Sequence, residues 1–538
     1  MTRSRILLTL VSVLSLSLLV PVGAQAVPPE SPLTGPAQPA SAPAGEPWVV
    51  SLGDSFISGE AGRWAGNESF STTSVDALGR GAYWDAGDSE AIERCHRSKS
   101  AAIHIGVVRS LNLACSGAIT TTKVDGNGNF KPGIDFYDQG GRQGQALMLQ
   151  EFASQNNVKM VALSIGGNDF RFSDIISQCV KDYLLTFSAQ CKDDAKVLSY
   201  ISDAAAQRVR ADTAQAILNV ATAMQGAGYD DGDWTLVLQM YPQPLPGSGN
   251  MRYDVLRQTR GGCGFTNADL DWAATTLLPL VNTTFRGAAQ DVIAQRPSLQ
   301  VAVMDSSRAF SQRQLCHDAV SRIGIGGPDS WRDKDAVDRS EWVMEINVIN
   351  ASDTYQQESM HPNYWGQLAL RNCWRQVWNG GDVRGGVCER SGMSGLTADC
   401  EPAMTLTPTG RSGARMAGAA ERAAAKVTLR CPGLSIDAGG RVVLTGRVVP
   451  AGADVKVTYQ VRWDGTAWRD KATVRPTARG SYRFAVQVPR SAPLGRTYEW
   501  RVVATSGRTV LATSQVRSSL VREGRPGTAA PRGRSSGE

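Results

Sequence analysis

Five short apolar runs, WVVSLGDS, SLNLACSGA, VKMVALSIGGND, WTLVLQMYP and LQVAVMDSS, alternate with longer segments of helical period. Helices are expected over 141–157, 200–226, 267–296 and 362–379, where apolar residues recur at three- and four-residue spacing. Short strands alternating with helices predict a parallel sheet with covering helices, an α/β fold. Three of the runs end in a polar or Gly-rich turn at their C-terminal edge, which is where open parallel sheets bind ligands. After residue 426 the period changes to two. RVVLTGRVVP, VKVTYQVRW, GSYRFAVQVP and YEWRVVATSG, divided by Gly, Pro and Asp, predict a second, smaller all-β domain, an Ig-like sandwich of about seven strands.

Low-complexity stretches mark the expected boundaries of these two domains. Arg3 and Arg5 precede an apolar run from Ile6 to Val20, and Ala24-Gln25-Ala26 follows, the pattern of a secretory signal peptide over 1–26. A Pro-rich tether covers 27–46, the α/β domain 47–400, a linker 401–426, the sandwich 427–520 and a basic tail 521–538. No later segment reads as transmembrane, so the protein is expected to be extracellular, with cell-wall association a further option. An even number of cysteines, ten, in an exported chain predicts up to five disulfides. Cys95-His96 and Cys316-His317 place two metal-ligand types side by side, but neither lies in a CxxC or HExxH frame, and no metal is expected.

Charge divides the chain unevenly. Residues 401–538 hold 23 Lys and Arg against 9 Asp and Glu, whereas the remainder holds 33 against 41. That asymmetry fits a C-terminal part that meets an anionic cell-surface polymer, or an arginine-rich solvated surface. No basic cluster interleaved with aromatics points to nucleic acid.

Nucleophilic acyl transfer needs a hydroxyl, a base, a group that orients the base, and donors for the developing oxyanion. Ser55 lies where VVSL breaks into Gly53-Asp54-Ser55-Phe56, a turn that can expose its oxygen above the sheet or simply cap a helix. Gly117 follows a strand and can bring its N–H close to a substrate. Asn168, in Ser164-Ile165-Gly166-Gly167-Asn168-Asp169, carries an amide with two donor hydrogens, or caps the next helix. His361, one of four histidines, sits before Pro362 at a helix entrance, and an imidazole suits general-base work near neutral pH.

In combination these four blocks resemble the GDSL-type esterases and lipases, the SGNH hydrolases, in order: Ser55 in LGDSF, Gly117 in ACSGA, Asn168 in GGND and His361 in ExxHP. The resemblance covers about 47–390 and is nearest to secreted actinobacterial members, whose SxGEG-like wording stands here as Ser58-Gly59-Glu60-Ala61-Gly62. It implies a flavodoxin-like three-layer α/β/α fold and a cofactor-free carboxylic ester hydrolase. Ser55 would be the nucleophile and His361 the base. The N–H groups of Ser55 and Gly117 and the Asn168 side chain would form the oxyanion hole. Where the family usually has Asp, this chain has Glu358, so either that carboxylate or a backbone carbonyl orients His361. The resemblance also implies the pairs Cys95–Cys115, Cys179–Cys191 and Cys263–Cys316, leaving Cys373–Cys388 and Cys400–Cys431 as a guess. The expected partner is an ester substrate, lipid or acylated glycan, met by a monomer. Two alternatives stand beside this: a polysaccharide acetyl esterase of the same fold, and a catalytically silent surface-binding protein. Gly533-Arg534-Ser535-Ser536-Gly537 fits the GxSxG pattern of an unrelated hydrolase, but it lies in the tail with no strand before it.

Overall fold

A computed structural model describes residues 41–69, 74–186, 189–347, 357–409, 425–463 and 466–523. The expected signal peptide, the core of the expected second linker and residues 524–538 of the expected tail lie outside these, as does most of the expected first tether.

All five apolar runs are strands of one sheet: β1 (Trp48–Gly53), β2 (Arg109–Asn112), β3 (Val158–Ser164), β4 (Thr235–Gln239) and β5 (Val301–Asp305). Two further strands, β6 (Gly386–Arg390) and β7 (Met404–Pro408), extend it to the order β7-β6-β5-β4-β3-β1-β2. Neighbours from β2 to β6 run parallel, and β7 pairs antiparallel at the edge. Because every residue of β4 and nearly all of β1 and β3 are buried, these strands read as continuous apolar runs rather than alternating ones. The chain leaves β1 for β2 on one side and returns to β3 on the other. The carboxyl ends of β1 and β3 therefore flank a switch point, the crevice where open α/β sheets bind ligands.

Four helices form where their period predicts: α1 (Gln145–Ala153), α3 (Asp203–Gly226), α4 (Leu278–Gln295) and α5 (Tyr364–Trp378). The helix α2 (Phe172–Thr186) was not expected. Helices α1, α3 and α4 pack on one another, while α5 packs against β6 and β7 and donates from Trp374 Nε1 to Gln239 in β4 (2.8 Å). The α5 start is capped by Asn363, whose side chain accepts from the N–H groups of Trp365 and Gly366.

The sandwich has nine strands among the described residues, more than expected. A three-stranded sheet joins β8 (Lys426–Leu429), β10 (Arg441–Val449) and β13 (Ser481–Gln487). A six-stranded sheet contains β9 (Ser435–Asp437), β11 (Val455–Trp463), β12 (Arg469–Val474), β14 (Thr497–Ser506), β15 (Thr509–Thr513) and β16 (Arg517–Arg522). Leu444, Val448, Val457, Phe484, Trp500 and Val502 fill the space between them.

Two boundaries move. The expected linker 401–426 begins with folded structure: Glu401 is buried against Arg375 (2.5 Å), and 404–408 complete the α/β sheet. The expected tail 521–538 loses Val521 and Arg522 to β16. The two domains also belong to one compact unit starting at Ser41. Arg517 bonds the carbonyl (2.9 Å) and carboxylate (3.0 Å) of Asp399, Arg522 pairs with Asp333 (2.7 Å), and Gln515 donates to the Gly106 carbonyl (2.6 Å).

All five disulfides pair in sequence order: Cys95–Cys115, Cys179–Cys191, Cys263–Cys316, Cys373–Cys388 and Cys400–Cys431. The last joins the end of the α/β domain to the first turn of the sandwich. Its removal in a Cys400→Ser, Cys431→Ser chain is expected to cost about 2–4 kcal/mol in urea unfolding, because the linker then adds loop entropy to the unfolded state. An unchanged midpoint would mean that the Arg517 and Arg522 contacts alone hold the domains together.

Candidate functional site

Gly53 ends β1 at φ +134°, and a Cβ there would lie 1.9 Å from the Ser164 carbonyl oxygen, so only glycine lets the two strand ends close. The Ser164 carbonyl accepts from the Asp54 N–H (2.9 Å), and the buried Gln145 side chain both accepts from Gly53 N–H (2.7 Å) and donates to its carbonyl (2.9 Å). Ser55 then opens a single helical turn, Ser55–Ser58, capped by Asp54, whose side chain accepts from Phe56 N–H. As the first residue of that turn, Ser55 has an N–H with no intrahelical acceptor.

The turn after β3 is fastened to this one. Tyr241, just past β4, donates its hydroxyl to Asp54 and accepts from Gly167 N–H (3.1 Å). Burial pushes the Asp54 carboxyl up to about 7. Asn168 donates to the Ala118 carbonyl (2.9 Å), while Asp169 accepts from the Thr120 hydroxyl (2.7 Å), so the Gly117 and Asn168 loops are bound side by side. One amide hydrogen of Asn168 remains for a ligand. Gly117 sits at φ +79°, in the left-handed region glycine favours.

His361 arrives from the far end of the α/β domain, and its Nε2 lies 2.6 Å from Ser55 Oγ. The loop that carries it is fixed through the backbone: His361 O accepts from Met344 N–H (3.0 Å), and Asn363 Nδ2 donates to the carbonyls of Gly66 (3.0 Å) and Glu341 (2.7 Å). Phe56 packs on the imidazole at 4.8 Å between centroids. Burial pushes the His361 pKa below 6.5, and the negative charge of Glu60 and the main-chain oxygens of Ser359 and Glu358 act in the opposite direction.

Glu358 does not take up the orienting position. Its carboxyl accepts from Trp64 Nε1 (2.8 Å) and from the Tyr83 hydroxyl (2.5 Å) and makes no hydrogen bond to the imidazole. His361 Nδ1 has no partner of good hydrogen-bond geometry, yet the main-chain oxygens of Ser359 and Glu358 still favour its protonated form. The extra methylene of glutamate carries the carboxylate into a buried polar cluster. There Glu60 Oε1 meets His96 Nδ1 (2.7 Å), Glu60 Oε2 accepts from Gln357 (3.1 Å), and Tyr83 stacks on His96 (4.4 Å). Burial would raise the Glu60 pKa, but the charge and hydrogen bond of His96 outweigh it and bring it down to about 2. Burial and the charge of Glu60 push Glu358 up to about 7, so a neutral carboxyl sits beside an ion pair.

Ser55 and His361 open into a pocket of about 540 Å³. Its apolar wall comes from α2, where Phe172, Ile176, Val180 and Leu184 recur at four-residue spacing, with Leu278 and Val281 of α4 facing them. The Cys179–Cys191 disulfide ties α2 down. Ser55, Gly117, Asn168 and His361 all line this one pocket; Glu358 does not. The Tyr241–Asp54 bond, the Gln145 brace and the Glu60–His96 pair were missed by the sequence reading. The 172–184 stripe was legible as a helical period and was also missed.

Among the described residues no group of His, Cys, Asp and Glu is arranged to hold a metal ion. No protein-family model matches the chain, and no curated protein matches it. Similar solved structures include an Fn3-like protein from Clostridium thermocellum, at 19% identity over 18% of this chain and 94% of its own, with a TM-score of 0.13. A twitchin kinase region from C. elegans shares 16% identity over 16% of this chain and 15% of its own, TM-score 0.13. A beta-glucosidase from Listeria innocua shares 8% identity over 90% of this chain and 47% of its own, TM-score 0.14. Likeness at this level carries no argument about the chain.

The buried carboxyls set a pH dependence of stability. Asp54 and Glu358 keep their protons in the folded chain up to about pH 7, so stability falls as pH rises from their ordinary values toward 7. His96, held above its ordinary value by Glu60, adds stability that is complete below pH 6.5 and lost as pH rises through its raised pKa. Glu60 acts oppositely, its stabilisation being lost only as pH falls from 4.5 toward about 2. Because His104, His317 and His361 are held below 6.5 and add stability as pH rises to that value, the melting temperature is expected to fall between about pH 6.5 and pH 8, and Glu358→Gln to flatten that slope. A wild-type melting temperature that rises across the window would contradict these assignments.

Proposed function

We propose that this chain is an extracellular SGNH-type serine hydrolase that cleaves carboxylic esters of apolar acyl chains. The observation that carries the reading is the 2.6 Å contact between Ser55 Oγ and His361 Nε2 at the mouth of an apolar pocket, beside the Gly117 and Asn168 loops. The strand order β2-β1-β3-β4-β5 supports the flavodoxin-like part of the reading. Five disulfides support an oxidising location, and no described helix is long and apolar enough to cross a membrane.

In the reaction, His361 Nε2 takes the Ser55 proton as Oγ attacks the ester carbonyl carbon. The oxyanion is received by the N–H groups of Ser55 and Gly117 and by Asn168 Nδ2. The intermediate collapses to an acyl-serine, and the imidazolium returns its proton to the departing alcohol. Water, activated by the same imidazole, then releases the acid. Glu60 supplies the negative charge that favours imidazolium, and the main-chain oxygens of Ser359 and Glu358 act in the same direction.

Ser55→Ala is expected to lower kcat/KM on nitrophenyl esters at least about a thousandfold, whereas Glu358→Gln is expected to stay within about tenfold of wild type. Equal rates for Ser55→Ala and wild type would refute the assignment, and a collapse in Glu358→Gln would restore the carboxylate as orienter.

Each methylene buried in the pocket contributes about 0.8 kcal/mol, so octanoyl esters are expected to exceed acetyl esters by tenfold or more in kcat/KM. A steep preference for acetyl would favour the glycan-esterase reading. Because His361 is held below its ordinary value, half-maximal kcat/KM is expected below pH 6.5, activity being lost as pH falls and the base protonates. An acid limb centred above 6.5 would contradict the buried, neutral base.

A further inference from the structure

The period-two pattern of the three-stranded sandwich sheet turns Val427, Leu429, Val442, Leu444, Val448, Tyr482 and Phe484 into the core. The alternate positions face outward, and they carry Lys426 on β8, Arg441 and Arg447 on β10, and Arg483 on β13, all exposed. No Asp or Glu occurs in any of these three strands. Register places Arg447 opposite Thr428 and Ser481, and Arg483 opposite Thr445, so the cations stand among small hydroxyl residues rather than acids. None of the four is in an ion pair with another described residue. With strands about 4.8 Å apart and about 3.3 Å per residue, they cover a patch of roughly 10 by 20 Å, about two to three Debye lengths in its long direction at physiological salt. Val443 (39% exposed) and Val449 (51% exposed) stand between them. Among the described residues the sandwich meets the α/β domain through other elements, Arg517, Arg522 and the segment at Gln515, and not through these four cations.

We propose that this face docks the chain onto an anionic phospholipid surface. Cations with no acid on their own strands are attracted to a negative leaflet, and the two exposed valines add apolar contact at the headgroup boundary, a combination that a soluble polyanion would use only in part. The inference stands on the sandwich alone and not on the reading of Ser55.

The test is co-sedimentation of the full chain with phosphatidylcholine vesicles that contain about a third phosphatidylglycerol, against phosphatidylcholine alone. Wild type is expected to bind the anionic vesicles selectively and to be released by raised salt. Lys426→Gln, Arg441→Gln, Arg447→Gln, Arg483→Gln together are expected to lower the association constant several hundredfold, about fivefold per charge. Arg441→Lys, Arg447→Lys, Arg483→Lys are expected to keep it, with melting temperature unchanged in both sets. The idea fails if the quadruple Gln variant binds as wild type does. It also fails if binding disappears on removal of residues 524–538 while the face is intact, or if wild type is retained by an anionic wall polymer but not by the vesicles.

Discussion

Two parallel strands must end within hydrogen-bond reach of each other for anything in this site to exist. Gly53 has no side chain at the point where the Ser164 carbonyl approaches, so β1 and β3 close at their carboxyl ends and the turns that follow share one crevice. Side chains rather than main-chain ladders then hold those turns: Gln145 under Gly53, Tyr241 across Asp54 and Gly167, Asp169 against Thr120. Each is a polar group with its bonds satisfied, and Gln145 and Tyr241 are buried, which makes the arrangement rigid and costly to disturb.

The same logic governs charge. A carboxylate and an imidazolium, Glu60 and His96, form a buried ion pair, and the neutral carboxyl of Glu358 sits beside them because a second buried anion would be expensive. Glu358 anchors the loop before His361 through Trp64 and Tyr83. The imidazole is left neutral, its near nitrogen on Ser55 and its far nitrogen without a hydrogen-bond partner among the described residues. The Cys95–Cys115 bridge adds a covalent tie between the segment carrying His96 and the loop carrying Gly117.

How legible this was in the sequence depends on the range of the interaction. The runs at 48–53, 158–164 and 235–239 are buried on both faces and so read directly as strands, and the turns carrying Ser55, Gly117 and Asn168 follow from local chemistry. Strand β6 (GVCER) was missed because it carries Gly and two charged residues rather than an apolar run, and the edge strand β7 because it adjoins a Pro- and Ala-rich stretch that reads as linker. The resemblance left Glu358 or a backbone carbonyl as the group that orients His361, and local sequence does not reveal that Tyr83 and Trp64, nearly 300 residues away, offer the Glu358 oxygens partners. Likewise Tyr241 and Glu60 carry no local signal, since their partners are distant in the chain.

The proposed chemistry requires that Ser55 be far more nucleophilic than the other described hydroxyls, because it is hydrogen-bonded to a buried neutral imidazole beside oxyanion donors, whereas Ser110, which meets His104 at 3.0 Å, does not line the pocket. Reaction with an alkyl fluorophosphonate, followed by mass spectrometry of the digested chain, measures that property directly. The account requires a single phosphonyl adduct on Ser55 that vanishes when His361 is replaced by Ala. An unlabelled protein, or an adduct distributed over other serines, would contradict it.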